Sequence, residues 1–261
     1  MKELWTGTIY RMRKTKGIKI AMGLTYIAAS LYFICGKMVA DGSLPQEQAG
    51  SITGLGDAMI IWLFGSLAIG LLIGSDFENK TIHGAIGYGR KKIVANYVIV
   101  SSLCVLLFVL PYTLGSVVLI GANADMTGAE ATAISIFMSN VLEYTKECAI
   151  WKLVLSYVAY AIVYIGQLSV CIPVAIKCKK AIVVTAFGFF FGMITALVGT
   201  LAGKVEALEK IYQFTPYYYG IEKLGINAET GDMCMGILVS IVFTAFMGIL
   251  SWALFRKSDI K

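Results

Sequence analysis

Hydrophobic and polar positions in this chain are separated into long blocks. Six apolar runs are long enough to cross a bilayer, which takes about 17–25 residues, and Lys19, at the edge of the first run, is their only charged residue. These runs predict an all-α membrane protein with six transmembrane helices, and we expect residues 1–261 to form a single transmembrane domain. The predicted spans cover residues 18–36, 58–74, 93–121, 153–176, 181–202 and 234–255.

The composition agrees with this pattern and excludes a soluble domain. Hydrophobic residues make up 58% of the chain and charged residues only 15%, whereas soluble domains carry about 25% charged residues. The first run is a full span and no small-x-small cleavage site follows it, so we expect the N-terminus to be retained rather than removed as a signal peptide.

The charges are distributed unequally between the two sides of the predicted membrane. If both termini and the second and fourth connections share one side, that side holds 16 of the 22 basic residues and 4 of the 16 acidic residues. Basic loops stay in the cytoplasm, so we expect both termini there. Short loops favour a bacterial plasma membrane.

The N-terminal stretch has an amphipathic pattern. Within residues 1–17, apolar residues such as Leu4, Trp5 and Met12 recur on one helical face, and Arg11 and Lys14 lie opposite. This pattern predicts an interfacial helix with its cations toward anionic lipid. A frayed basic tail is the alternative.

The segment before the sixth run, residues 203–233, combines charge with an aromatic cluster. Because tyrosine prefers the membrane–water interface, short helices dipping into the outer leaflet before the last span are expected here. The cluster includes Phe214, Pro216, Tyr217 and Tyr218.

Groups needed for catalysis are scarce. His83 is the only histidine, and no run contains paired carboxylates, so we expect no catalytic residues, no metal site and no cofactor bound by this chain. Ion-coupled transporters need ionisable groups inside the membrane, and their absence from the runs indicates an external energy source. Cys148 and Cys234 leave two possibilities, an outer disulfide or unpaired thiols.

The deepest polar residues form a stripe in the fourth run, at Tyr157, Tyr160, Tyr164 and Gln167. The spacing is helical, so the stripe lines a substrate path or packs against neighbouring spans. Small residues also recur at helix-packing spacing, in the pairs Gly70–Gly74, Gly188–Gly192 and Gly199–Gly203.

The connection between the second and third runs carries the most informative motif. Gly84 to Arg90 resembles a phosphate-binding loop, but Arg90 replaces the lysine and no Ser or Thr follows it. As a helix the stretch is more coherent, because Ser75–x2–Glu78 is a capping box that starts a helix at Asp76. We expect its apolar patch, which includes Phe77, Ile82 and Ile86, to dock a separate protein, and Gly87 and Gly89 to end the helix.

Two motifs resemble the ABC type-2 exporter permeases. "DFENKTI" at residues 76–82, followed by Gly89 and Arg90 and a long third run, is similar to their first cytoplasmic loop. "WALFRKSDI" at residues 252–260 is similar to their C-terminus. The small bacterial permeases for lantibiotic or bacitracin immunity and amphipathic-peptide export are the most similar subgroup.

The resemblance implies a partner-driven mechanism. Two permeases, either two copies of this chain or this chain and a paralogue, would bind two ABC ATP-binding subunits, which carry ATP and Mg. An amphipathic peptide, antimicrobial or lipid-like substrate would move outward by alternating access, with the lipid bilayer as a partner and no nucleic acid. The ATPase-coupling helix would present Asp76, Phe77, Glu78, Thr81, Ile82, Ile86 and Arg90.

Three other classes stay open from the residues alone. An ATP-independent carrier or channel needs no coupling subunit, and a peptide-binding immunity protein needs no transport. A membrane-embedded enzyme would lack the histidine and paired carboxylates that it needs.

Overall fold

The computed structural model describes residues 2–45, 57–126, 129, 135–145 and 149–257. Within these residues six helices are long and apolar enough to cross a membrane, which confirms the six predicted spans and indicates a multi-pass membrane protein. Most are longer than the apolar runs because the helices continue into polar residues at their ends. Their bounds are Lys16–Ala40, Asp57–Glu78, Arg90–Gly121, Ile150–Cys178, Ala181–Ala202 and Thr230–Lys257.

Two of the spans are irregular. The second changes from an α-helix, Asp57–Ile69, to a π-helical turn, Gly70–Gly74, and then returns to α-helix. The fourth consists of Ile150–Leu168 and Cys171–Cys178. Pro173 lies in the first turn of that second piece, where proline removes no helical hydrogen bond.

Shorter helices lie at the ends of the spans. The predicted N-terminal helix is present as Lys2–Lys14, and its position at a membrane surface stays a prediction. Two short helices also precede the sixth span, as the aromatic segment predicted, and whether they dip into a membrane is equally open. The other short helices are Ile82–Ile86, Ile136–Glu143, Glu206–Tyr212 and Ile221–Leu224.

The second, third and fourth spans form the core of the bundle. In an apolar 18-residue stretch of each of these spans, 61%, 56% and 72% of the residues are buried inside the chain. The corresponding shares are 22% and 17% for the fifth and sixth spans. The fifth and sixth spans therefore lie at the periphery, and only some of their apolar side chains, such as Val184, Met233 and Phe255, are buried in the core.

The two ends of the bundle differ in character. The end that we call the basic end holds the N-terminal helix, residues 79–89 and residues 179–180. It is closed by contacts such as that of Arg90 with the end of the sixth span. The opposite end, which we call the tyrosine end, holds residues 41–45, 135–145 and 203–229.

Two of the three small-residue pairs lie at helix contacts. A Cβ atom built on Gly70 would lie 2.6 Å from the Ala181 carbonyl oxygen, and one on Gly74 would lie 2.8 Å from the Ala181 nitrogen. Gly188 and Gly192 face the second span in the same way. Gly203 has no neighbour within 4 Å of such an atom.

Candidate functional site

The predicted helix start at Asp76 is wrong. Ser75 lies inside the second span and donates its hydroxyl to the carbonyl of Leu71, and the helix continues to Glu78 without a side-chain cap. The chain then breaks at Lys80, whose φ is 57°, and only Ile82–Ile86 is helical again. The predicted end is confirmed, because this short helix stops before Gly87 and Gly89, with φ 93°, precedes the third span.

Asp76 is buried at the centre of a polar network. Its carboxylate accepts from both terminal nitrogens of Arg11, from the Thr81 hydroxyl at 2.7 Å and from the Tyr97 hydroxyl at 2.7 Å. The Asp76 side chain therefore joins the second span to the N-terminal helix and the third span, and it is not exposed for docking a partner. Arg11, which the sequence pattern placed toward lipid, instead points into the chain, and burial lowers the pKa of its guanidinium.

Two further predicted coupling residues cap other helices. Glu78 Oε1 accepts from the backbone nitrogen of Ala181 at 3.2 Å, at the first residue of the fifth span. Arg90 Nη1 donates to the carbonyls of Phe255, at 3.1 Å, and Arg256, at 2.6 Å, in the last turn of the sixth span. Carboxylates favour helix starts and guanidinium groups favour helix ends, so both contacts have favourable electrostatics.

The predicted apolar patch has partners within the chain, contrary to expectation. Ile82 is buried, and the Phe77 ring packs edge-on against Phe255, with ring centroids 6.0 Å apart. Glu78 and Thr81 remain exposed and Ile86 is half-buried. The amphipathic pattern identified a buried face correctly, but that face contacts the chain's own helices.

At the tyrosine end, the predicted stripe is buried. Tyr157 accepts from the Ser116 hydroxyl at 2.7 Å. Gln167 accepts from Trp62 Nε1 at 2.8 Å and donates to the Pro216 carbonyl at 3.2 Å. The stripe therefore ties the fourth span to the second and third spans and to the aromatic segment.

Parts of the stripe and of the aromatic segment meet at two adjoining cavities. The larger, of about 810 Å³, is lined by Tyr160, Tyr217 and Tyr218. The smaller, of about 130 Å³, adds Tyr164 and Gln167. Phe214 points outward with 77% of its surface exposed, and neither it, Pro216 nor Tyr157 lines either cavity.

Sequence reasoning missed Asp57. It stands one residue before the second apolar run and was assigned to a polar connection, yet only 1% of its surface is exposed. Tyr164 donates its hydroxyl to Asp57 Oδ2 at 3.3 Å. The signal was present in the sequence as an acidic residue directly beside an apolar run.

Both possibilities for Cys148 and Cys234, an outer disulfide or unpaired thiols, stay predictions. Cys234 is exposed at the tyrosine end and Cys178 at the basic end. Cys148 lies outside the described residues, as do Asp259 and Ile260 of the C-terminal motif.

Comparisons with protein-family models, with curated proteins and with solved structures find no match for this chain. The resemblance to ABC type-2 permeases therefore stays a prediction that depends on two short motifs. Function has to be argued from the geometry of the two ends.

Proposed function

We propose that the chain is the membrane-spanning permease subunit of an ATP-driven ABC exporter that moves an amphipathic substrate outward. The observation that carries this proposal is the set of contacts made by residues 76–90. On either side of the connection at residues 79–89, Asp76 and Glu78 at the end of the second span contact the N-terminal helix and the fifth span. Arg90, at the start of the third span, contacts the sixth span. A force applied to this connection would reach three other elements at once.

Exposure supports a partner at the same place. Glu78, Asn79, Lys80 and Thr81 are exposed, although the residues around them are tied into the bundle. An exposed strip on a rigid support is suited to transmitting motion from a separate subunit. We therefore place the ATP-binding subunit, with its ATP and Mg, against residues 78–81 rather than against the apolar patch.

The other half of the proposal is the path of the substrate. The cavities at the tyrosine end lie between the fourth and fifth spans and the aromatic segment. Movement of the fifth span, which Glu78 caps at the opposite end, would change the width of these cavities. This geometry is what alternating access requires, namely a site whose opening depends on a distant element.

Native mass spectrometry of the complex tests the assembly. The tagged chain is extracted gently from its native membrane and weighed intact. We expect two permeases and two soluble ATP-binding subunits, and the masses also decide between two identical permeases and a pair with a paralogue. A chain that emerges alone, with transport indifferent to ATP, would overturn the proposal.

The substitution Glu78→Arg tests the coupling. It places a cation at the first backbone nitrogen of the fifth span, where the helix dipole disfavours positive charge, and we expect insertion to persist while ATP-dependent export falls about tenfold or more. Glu78→Gln is the matched control, since an amide oxygen still accepts from Ala181 and we expect most of the export to remain. Export by inverted vesicles and abundance in the membrane are both measured. Unchanged export in Glu78→Arg would contradict the assignment.

One observation favours a second candidate, an ATP-independent carrier. Asp57 supplies a buried ionisable group of the kind that ion-coupled transporters use. Transport by inverted vesicles separates the two functions, since a carrier would respond to an imposed ion gradient without ATP, whereas an exporter requires ATP.

A further inference from the structure

The smaller cavity at the tyrosine end is an aromatic cage. The rings of Tyr160 and Tyr164 stand nearly perpendicular, at 80°, with centroids 4.8 Å apart, and Trp62 and Tyr217 also line the space. At about 130 Å³ it accommodates one compact group, such as a methylated or primary ammonium. The larger cavity shares Tyr160 and Tyr217 with it, so that a tail attached to the group has room outside the cage.

A buried carboxyl group lies directly behind the cage. Asp57 is buried and accepts from Tyr164, one of the cage rings, at 3.3 Å. Among the residues that the structure describes, the ion pairs join other side chains, Arg11 with Asp76, Lys37 with Asp41 and Lys210 with Glu206. A buried carboxylate without a basic partner is costly, and a cation in front of Tyr164 would lower that cost.

Several hydroxyl groups of the cage already have acceptors, which argues against an anionic ligand. Tyr217 donates to the backbone carbonyl of Gln167 at 2.7 Å, and the Tyr212 hydroxyl lies 2.9 Å from the Thr195 carbonyl. The side-chain oxygen and nitrogen of Gln167 are engaged as well. The cage therefore offers electron-rich aromatic rings and few free hydrogen-bond donors.

Next to the cage, a ring that lines the larger cavity already accepts a cation of the chain. At the mouth of the larger cavity, Lys223 Nζ lies 4.4 Å from the ring centroid of Tyr218. Its hydrogen bond with Tyr218 is the main cause that raises the pKa of the Lys223 ammonium. Lys223 does not line the smaller cavity, which leaves the cage open to an external group.

We infer that this cage, backed by Asp57, binds an ammonium group of the transported substrate. The inference rests on the proposed function, since it names the chemistry of the substrate. A lysine side chain of a cationic peptide and the choline headgroup of a lipid both present such a group.

The test measures ligand binding to the purified full chain in nanodiscs of phosphatidylglycerol, which contain no ammonium groups. The readout is the fluorescence change of Trp62, corrected with the Trp62→Phe variant. Choline is compared with 3,3-dimethylbutanol, its uncharged isostere, and Nα-acetyl-lysine amide with Nα-acetyl-norleucine amide. We expect the better cation to bind about tenfold more tightly than its neutral partner.

Variants locate the site. Asp57→Asn and Tyr160→Leu should each weaken cation binding about tenfold, whereas Glu206→Gln, which removes an exposed carboxylate that lines neither cavity, should leave it unchanged. If Asp57→Asn fails to fold, Tyr164→Phe, which keeps the ring and removes the hydroxyl that contacts Asp57, is measured in its place. Neutral isosteres that bind as tightly as the cations, or an equal loss in Glu206→Gln, would overturn the inference.

The other results show whether a peptide or a lipid carries the ammonium group, and they distinguish the proposed cage from the proposed exporter function. Tighter binding of the lysine amide supports a peptide substrate, and tighter binding of choline supports a lipid. Because the measurement needs no ATP-binding subunit, cation binding together with a chain that emerges alone in native mass spectrometry would sustain the cage and remove the exporter.

Discussion

Two buried aspartates, one at each end of the bundle, are stabilised in different ways. Asp76 is held by a guanidinium and two hydroxyl groups. Asp57 accepts from the hydroxyl groups of Tyr164 and Ser135, and the ion pairs among the described residues do not include it. A buried carboxylate paired with a cation stabilises a structure, whereas one without a basic partner is available to a ligand or a proton.

Replacing Asp76 with asparagine should therefore destabilise the fold strongly. The amide cannot neutralise Arg11, and because 38% of the Arg11 side chain is exposed, we expect a loss of about 2–3 kcal/mol, less than for a fully buried pair. Tyr97→Phe is the matched control, because it removes one neutral donor to the same carboxylate at a cost of about 1 kcal/mol. Unfolding in detergent is followed by circular dichroism. Equal losses in the two variants would show that the Arg11 contact contributes nothing.

At the scale of elements, the contact between the second and fifth spans depends on the absence of side chains. Gly70 and Gly74 meet the backbone of Ala181, and backbone atoms cannot rotate away as a flexible side chain can. The start of the fifth span is fixed at this contact, and Glu78 caps it one turn further along the second span.

The substitution Gly70→Ala should separate these two spans. Its Cβ would approach the Ala181 carbonyl oxygen to 2.6 Å, so we expect a loss of about 1–3 kcal/mol from overpacking. Gly203→Ala adds the same methyl group at the third small-residue pair, where nothing lies within 4 Å, and should be neutral. The thermal unfolding midpoints of the two variants are compared with that of the unchanged chain. An unchanged midpoint in Gly70→Ala would contradict the contact.

The existence of the spans could be predicted from the sequence, but their tertiary partners could not. Length and apolar content alone determine whether a segment can cross a bilayer, and all six predicted spans are present. The Arg11–Asp76 pair joins residues 65 positions apart, and no local periodicity encodes such a distance. The capping-box prediction was wrong in a similar way, since the helix runs through Ser75 and Asp76 contacts the distant residues Arg11 and Tyr97.

At the scale of the whole molecule, charge asymmetry predicts the orientation in the membrane. The basic end collects Arg11, Lys14, Lys80, Arg90 and Lys179. If basic segments stay in the cytoplasm, the aromatic cage faces outward. An exporter releases its substrate on that side.

The native cysteines can report this orientation. Cys178 is exposed at the basic end and Cys234 at the opposite end. In a Cys148→Ala background, we expect a membrane-impermeant maleimide to label Cys234 in intact cells and Cys178 only in inverted vesicles. Mass spectrometry of the labelled peptides gives the result, and Cys178→Ser and Cys234→Ser serve as controls. Labelling of Cys178 in intact cells and of Cys234 only in inverted vesicles would show the opposite topology.

The π-helical turn at Gly70–Gly74 gives the second span an angular offset. A π-turn contains one residue more than an α-turn, and each residue of an α-helix rotates the following chain by about 100°. Because the wider turn absorbs this extra residue, the same sequence wound as a regular α-helix would carry Asp76 away from Arg11 by roughly that angle. The π-turn therefore sets which side of the second span meets the N-terminal helix, and a regular helix of the same length would lose the contacts at the basic end while keeping all six spans.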